Sequence, residues 1–111
     1  MFESLAKGLN EAGRGVRAYD ACGRAARMRI ADEPENAAAL LLIFHAAQRF
    51  VESYDDQPLS VELATEEYIQ FTDIIGTLDR AYSGNSAEEK LDALNIVAAR
   101  LAAPHKSKAD R

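Results

Sequence analysis

Apolar and small residues recur along the first thirty positions of the chain at alternating steps of three and four. They are Phe2, Leu5, Leu9, Ala12, Val16, Tyr19, Gly23, Ala26 and Ile30. A period of about 3.5 residues is typical of a helix that packs one face against a neighbour. The same stretch contains Gly8, Gly13, Gly15 and Gly23. Each glycine weakens a helix interior by about 1 kcal/mol relative to Ala, so we predict a helix over residues 2–30 that its glycines interrupt.

Small side chains form a second stripe on this segment. They are Gly8, Ala12, Gly15, Ala18, Cys22 and Ala25. Side chains of this size let the backbone of another helix approach closely. The stripe therefore indicates a helix–helix contact, either within the chain or with a second copy of it.

The clearest helix prediction covers residues 36–54. Asp32 is a candidate cap, and Glu35 stands three positions later to complete a capping box. The expected core stripe is Leu40, Ile43, Phe44, Ala47, Phe50, Val51 and Tyr54. Leu41 and Leu42 lie off this stripe, so the first half of the helix is apolar nearly all round. Such a surplus predicts that the helix is central or lies at a subunit interface.

Two further helices are predicted after a polar turn. The third begins after Ser60 and continues to about Tyr82. Its apolar positions are Val61, Ala64, Tyr68, Phe71, Ile75, Leu78 and Tyr82. The fourth follows a capping box at Ser86 and Glu89 and stops before Pro104. One face of it carries Leu91, Leu94, Val97, Ala98 and Leu101.

These patterns predict an all-α fold, a small antiparallel helical bundle completed by dimerisation. It would contain three long helices and the glycine-interrupted N-terminal helix. We expect residues 1–104 to form a single helical domain and residues 105–111 to be a disordered basic tail. The composition agrees, because 111 residues of which 48% are hydrophobic enclose one modest core. The 21 Ala residues, beside 6 Gly and 3 Pro, also favour helix.

Cysteine usage and the apolar runs point to the cytoplasm. The single cysteine, Cys22, cannot form an intrachain disulfide, although a disulfide between two copies stays open. The first residues lack the basic start and the apolar run of a signal peptide. The longest apolar run, residues 37–44, is far shorter than the ~20 residues that cross a bilayer. We expect a cytoplasmic protein that does not bind membranes.

Patterns for catalysis or cofactor binding are incomplete. Residues 13–18 match the Gly-x-Gly-x-x-Ala pattern of dinucleotide-binding loops, but no buried strand is predicted before them. His45 lacks a partner that would position it as a general base, and it lacks companion metal ligands. Cys22 has arginines nearby but neither a base nor an oxyanion site. We expect a protein that is not an enzyme and has no cofactor or metal.

Basic and acidic residues are segregated along the chain, although the net charge is only -5. Residues 12–30 contain five arginines and one acid, whereas residues 50–79 contain eight acids and no base. One face of the first helix carries Arg17, Arg24 and Arg27, with Arg14 at its edge. The simplest interpretation is that the basic helix packs beside the acidic one, within one chain or across a dimer. Binding to an acidic partner or to nucleic acid is the alternative, although no aromatic residue shares the helix face of the arginines to stack on bases.

Together these features predict a non-enzymatic regulator that docks on another protein. It would be an inhibitor, an anti-activator or an adaptor of a cytoplasmic partner such as a transcription regulator, and a homodimer. The alternative is a nucleic-acid-binding protein that uses the Arg-rich first helix. The expected partner-binding residues are Arg14, Arg17, Arg24, Arg27, Leu41, Leu42, Phe50 and Tyr54. For Phe50 and Tyr54, a place in the core is the other interpretation.

Overall fold

In the computed structural model, which describes residues 1–104, every regular element is a helix. Helices account for 82% of the described residues, and none of these residues lies in a strand. The five α-helices are α1 (Glu3–Glu11), α2 (Val16–Asp32), α3 (Ala37–Tyr54), α4 (Val61–Tyr82) and α5 (Ala87–Ala102). A short 3-10 helix, Pro34–Asn36, precedes α3. The all-α prediction is confirmed, and the predicted tail at residues 105–111 lies outside the described residues.

A turn between α1 and α2 breaks the predicted first helix at two of its glycines. Gly13 has a φ of 101° and Arg14 a φ of 63°, so both lie in the left-handed region. Glycine adopts this region freely because it has no Cβ, whereas arginine does so at a cost. The Arg14 Nε donates a hydrogen bond to Asn10 Oδ1 at 2.7 Å, which holds the turn against α1.

The start of α3 differs from the predicted capping box. Asp32 is the last residue of α2, not a cap, and Glu35 lies in the 3-10 helix. The Glu33 carboxylate instead accepts hydrogen bonds from Arg29 at 2.7 and 3.0 Å and from Asn36 at 2.9 Å. A residue before proline avoids the α region, which is why α2 ends here.

The caps predicted for the last two helices are confirmed. The Ser60 hydroxyl accepts a hydrogen bond from the Leu63 N–H at the start of α4. The Ser86 hydroxyl does the same for the Glu89 N–H at the start of α5. Each side chain satisfies a backbone donor that has no partner within the helix.

The most extensive helix contact is between α2 and α3, and a glycine lies within it. A Cβ placed on Gly23 would lie 3.2 Å from the Cβ of Ala47, a tight contact that Ala47 could relieve only by shifting a few tenths of an ångström. Around this contact lies one connected hydrophobic core. Its largest fully buried side chains are Tyr19, Tyr54, Phe2, Leu9, Leu40, Ile43, Leu78 and Val97.

Helix α3 is central, because it packs against α2, α4 and α5. Other helices of the same chain cover most of the apolar side chains in its first half. Leu42 is half-buried and packs on the core, whereas Leu41 remains 43% exposed. Of the two sequence interpretations, a central helix or an interface helix, the first accounts for nearly all of the apolar surface.

Residues before α1 connect three helices. Phe2 is fully buried, and its backbone N–H donates to Asp79 Oδ1 of α4 at 2.6 Å. Its ring contacts Tyr82 edge to face, with centroids 5.5 Å apart. From α2, the Arg29 guanidinium donates to the carbonyl oxygen of Met1 at 3.1 Å. The two N-terminal residues therefore hold α1 against α2 and α4.

Candidate docking groove

A groove of about 860 Å³ follows α3 on the face opposite its buried stripe. We call it the α3 groove. Its floor is formed by Leu42, Phe44, His45, Gln48, Arg49 and Glu52 of α3. Its walls are formed by Asp20, Arg24 and Arg27 of α2 and by Ala98, Leu101 and Ala102 of α5. Three of the predicted partner-binding residues, Arg24, Arg27 and Leu42, therefore lie together.

The α2 wall presents arginines to solvent. Arg24 forms an exposed ion pair with Asp20 of the same helix at 2.6 Å, an interaction that contributes little to stability. The Arg27 guanidinium lies 5.4 Å from the ring centre of Phe44, and it forms no ion pair within residues 1–104. Arg17 is exposed on the same face of α2 and is likewise without an ion pair in that range. This edge of the groove thus keeps an unneutralised positive charge.

Within the chain, the basic helix does not pack beside the acidic one, so the within-chain form of that interpretation is wrong, whereas packing across a dimer stays a prediction. Helix α2 packs on α3 and α1, and it contacts α4 through the edge-to-face pair of Tyr19 and Phe71. Asp73 of α4 instead pairs with Arg100 of α5 at 2.7 Å. The small face of α2 at Gly23 fits α3, and this apolar fit outweighs exposed charge pairing.

The remaining predicted partner-binding residues lie apart from the groove or at its end. Arg14 stands 3.9 Å over the Tyr68 ring, in the α1–α2 turn. Phe50 and Tyr54, predicted as partner contacts, are 2% and 1% exposed, which corrects that assignment. They belong to the core, the other interpretation of their spacing. Leu41, one helical turn before a residue of the groove floor, is exposed at the end of the groove.

A buried polar cluster was missed in the sequence. Glu67 is 7% exposed, and its carboxylate accepts a hydrogen bond from the Tyr54 hydroxyl at 2.8 Å. The Tyr19 hydroxyl is buried nearby and has no hydrogen-bond partner among the described residues. Burial, together with the Glu67 carboxylate, raises the pKa of Tyr19. The sequence contains one signal for this cluster. Glu67 stands four residues after Leu63 and four before Phe71, which places an acid on the apolar stripe of α4.

The small-residue stripe faces a second cleft, of about 200 Å³, between α1 and α2. It is lined by Ser4, Leu5, Gly8, Leu9, Ala12, Ala18, Ala21, Cys22 and Ala25. Cys22 is buried beneath it, and its thiol donates to the Leu5 carbonyl oxygen. Burial raises the pKa of Cys22 to about 11, so the nearby arginines do not activate the thiol.

The described residues hold no cluster suited to a metal and no membrane span. Within residues 1–104, no three His, Cys, Asp or Glu side chains are grouped as metal ligands. No helix in that range is both long and apolar enough to cross a bilayer. Comparison with known proteins finds no matching family model, curated protein or solved structure. Function is therefore inferred from the chemistry of the surface.

Proposed function

We propose that this protein is a non-enzymatic regulator that binds another protein in the α3 groove. It would act as an inhibitor, an anti-activator or an adaptor of a cytoplasmic target such as a transcription regulator. The proposal is supported by one observation: a groove with helical walls and a partly apolar floor is bordered by Arg27, which has no ion pair within residues 1–104 and lies beside the Phe44 ring. Arginine beside apolar and aromatic surface is typical of the side chains that dominate protein–protein interfaces.

Site-specific photo-crosslinking tests this proposal in the cells that produce the protein. A photoreactive amino acid at Gln48 would report contacts on the groove floor. The same amino acid at Ile69, which is 60% exposed on α4, is the control. We expect a discrete crosslinked protein from position 48 that position 69 does not give.

Charge reversal then tests whether the groove itself captures the partner. Arg24→Glu should abolish the crosslink from position 48, because Arg24 lines the α2 wall. Arg80→Glu, an equal change in charge at an exposed residue of α4, should leave it intact. Circular dichroism establishes that both variants fold. Equal crosslinking from positions 48 and 69, or a crosslink unaffected by Arg24→Glu, would contradict the proposal.

Nucleic-acid binding is the second candidate, and one observation favours it. Arg17, Arg24 and Arg27 lie on one exposed face of α2, and the first and last of them are ten positions apart, or ~15 Å along the helix axis. Against it, Asp20 and Glu52 line the same groove and would repel phosphates. Retention on duplex DNA that decreases steeply with salt would support this candidate, and elution with the unbound fraction would exclude it.

We propose in addition that the helices form an antiparallel bundle and that two copies associate through the α1–α2 cleft. Its lining of small side chains would allow a close approach of helices. Ala21→Glu introduces a charge into this cleft, so it should convert a dimer into a monomer in sedimentation equilibrium. A monomeric wild-type protein at micromolar concentration would rule the dimer out.

A further inference from the structure

The α3 groove combines a shape and a charge pattern that fit one class of partner. We infer that its occupant is an amphipathic α-helix with acidic side chains along one edge and apolar side chains beside them. This inference rests on the proposed function, because it names the partner of the same groove.

The shape of the groove fits a helix. Its floor runs along α3 from Leu42 to Glu52, a rise of ~15 Å or about three helical turns. Both walls are themselves helices, so an occupant would pack against three helices at once. Helix-in-groove recognition of this kind places apolar residues at intervals of three and four along the groove. Leu42 and Phe44 on the floor and Leu101 on the α5 wall are the half-buried apolar side chains that would receive them.

The charges in the groove favour a partner that places a carboxylate on the α2 side. Three arginines line the groove, Arg24, Arg27 and Arg49, against the two acids Asp20 and Glu52. Arg24 is already paired with Asp20, whereas Arg27 is not paired within residues 1–104. The Phe44 ring beneath Arg27 holds its guanidinium at the edge of the floor. A partner carboxylate there would form a charge-assisted hydrogen bond without displacing an existing one.

The rest of the surface would direct an acidic partner to this edge. The whole chain carries a net charge of -5. Helix α4, which contains the exposed acids Glu62 and Asp73, packs on the buried side of α3, away from the groove. An acidic helix is therefore repelled from the α4 side and attracted to the α2 edge, and this orients the encounter.

Selection from a displayed library of helices tests the class of partner directly. The purified protein is the bait, and the library consists of 18-residue helices with randomised exposed positions. We expect enriched sequences to carry Asp or Glu along one edge and Leu or Ile beside it. A synthetic peptide of the consensus sequence should bind Arg27→Glu at least ~10-fold more weakly than wild type, whereas Arg80→Glu should bind like wild type.

The outcomes separate this inference from the proposed function. Enriched helices that are not acidic, but that shift the NMR signals of groove residues, would overturn the inference and leave the groove as a docking site. No enrichment, while crosslinking at position 48 succeeds, would overturn the helical class of partner. Failure of both experiments would overturn the docking site too. The protein and its two variants are also tested for retention on duplex DNA. If Arg27→Glu is no longer retained and Arg80→Glu still is, the arginines bind phosphates, and the inference is overturned.

Discussion

Tyr19 and Tyr54 are both buried, but the described residues provide a hydrogen-bond partner only for the Tyr54 hydroxyl. A buried hydroxyl without a partner has lost its hydration and gained nothing in exchange. A cavity of about 30 Å³ lies beside Tyr19 and Glu67, which is room enough for a water molecule. The two tyrosines therefore differ in what their hydroxyl groups contribute to stability.

The first prediction compares these two hydroxyl groups. Tyr54→Phe removes the hydrogen bond to Glu67 and should lower the free energy of unfolding by ~1–3 kcal/mol. Tyr19→Phe removes no such bond and should leave this free energy unchanged or raise it by up to ~1 kcal/mol. Urea denaturation followed by circular dichroism measures both. An equal loss in the two variants would show that a water molecule satisfies the Tyr19 hydroxyl.

The second prediction concerns the stability of the α2–α3 junction in acid. Hydrogen bonds from Arg29 and Asn36 lower the pKa of Glu33 from 4.5 to about 2. The carboxylate thus contributes stability above pH 4.5, and this contribution is lost as the pH decreases towards 2, because the unfolded chain takes up the proton first. Unfolding measured across this range should show a weaker pH dependence in Glu33→Gln than in wild type. Glu35→Gln, at an exposed neighbour, is the control, and equal slopes in all three proteins would refute the prediction.

At the scale of the elements, the glycines of α1 and of the turn after it have opposite roles. Gly8 lies inside α1, and a Cβ there would meet no atom within 4 Å. Gly13 lies in the turn with a φ of 101°, which a side chain makes unfavourable. One glycine therefore weakens its helix, and the other permits the chain to leave it.

The third prediction follows from this contrast. Gly8→Ala should raise the melting temperature, with a gain of ~0.5–1 kcal/mol in the free energy of unfolding. Gly13→Ala should lower this free energy by ~1 kcal/mol or more, because the left-handed conformation is kept while the Cβ opposes it. Calorimetry of the two variants checks the signs. A stabilising Gly13→Ala would mean that the turn relaxes to another conformation.

Helix starts that a single serine caps could be predicted from the sequence, whereas the start of α3 could not. The starts of α4 and α5 follow from Ser60 and Ser86, each of which caps its own helix. Helix α3 instead follows a 3-10 helix, and before it the Glu33 carboxylate accepts hydrogen bonds from Arg29 of α2 and from Asn36. Asp32 and Glu35 have the residue types of a capping box, but these types do not reveal that α2 continues to Asp32 and that a 3-10 helix follows.

The candidate site divides in the same way. Helical periodicity alone places Arg24 and Arg27 on one face of α2. The groove itself exists only because α5 forms the second wall. No sequence pattern specifies the face of α3 against which α5 packs. The close approach of α2 to α3 depends on Gly23 meeting Ala47, two residues far apart in the sequence. Pairing of helices by charge therefore gave the wrong neighbour for α2.

At the scale of the whole molecule, the N-terminal residues connect helices that lie far apart along the chain. Phe2 packs against Tyr82 of α4, and the Arg29 guanidinium lies 5.7 Å from the centre of its ring. Loss of this ring would loosen α1 from α2 and from α4 together. The stability of the molecule should therefore be sensitive to a residue that lies outside every helix.

The fourth prediction tests this connection. Phe2→Ala should lower the free energy of unfolding by ~3–5 kcal/mol, the usual effect of removing a buried aromatic ring. Met28→Ala, at a side chain that is 75% exposed, should change it by less than ~0.5 kcal/mol. Chemical denaturation measures both. A small effect of Phe2→Ala would indicate that α1 is dispensable for the stability of the rest.

The bond between the Phe2 amide and Asp79 joins positions that are 77 residues apart. Ribosomes release a chain from its amino end, so α1 emerges long before the carboxylate that completes its docking has been synthesised. Helices α2 and α3 are separated by a short turn and have their partner surfaces available much earlier. The contact between α1 and α4 is thus expected to be among the last to form, and a nascent chain cut short before α4 would leave uncovered the side of α1 that faces α4.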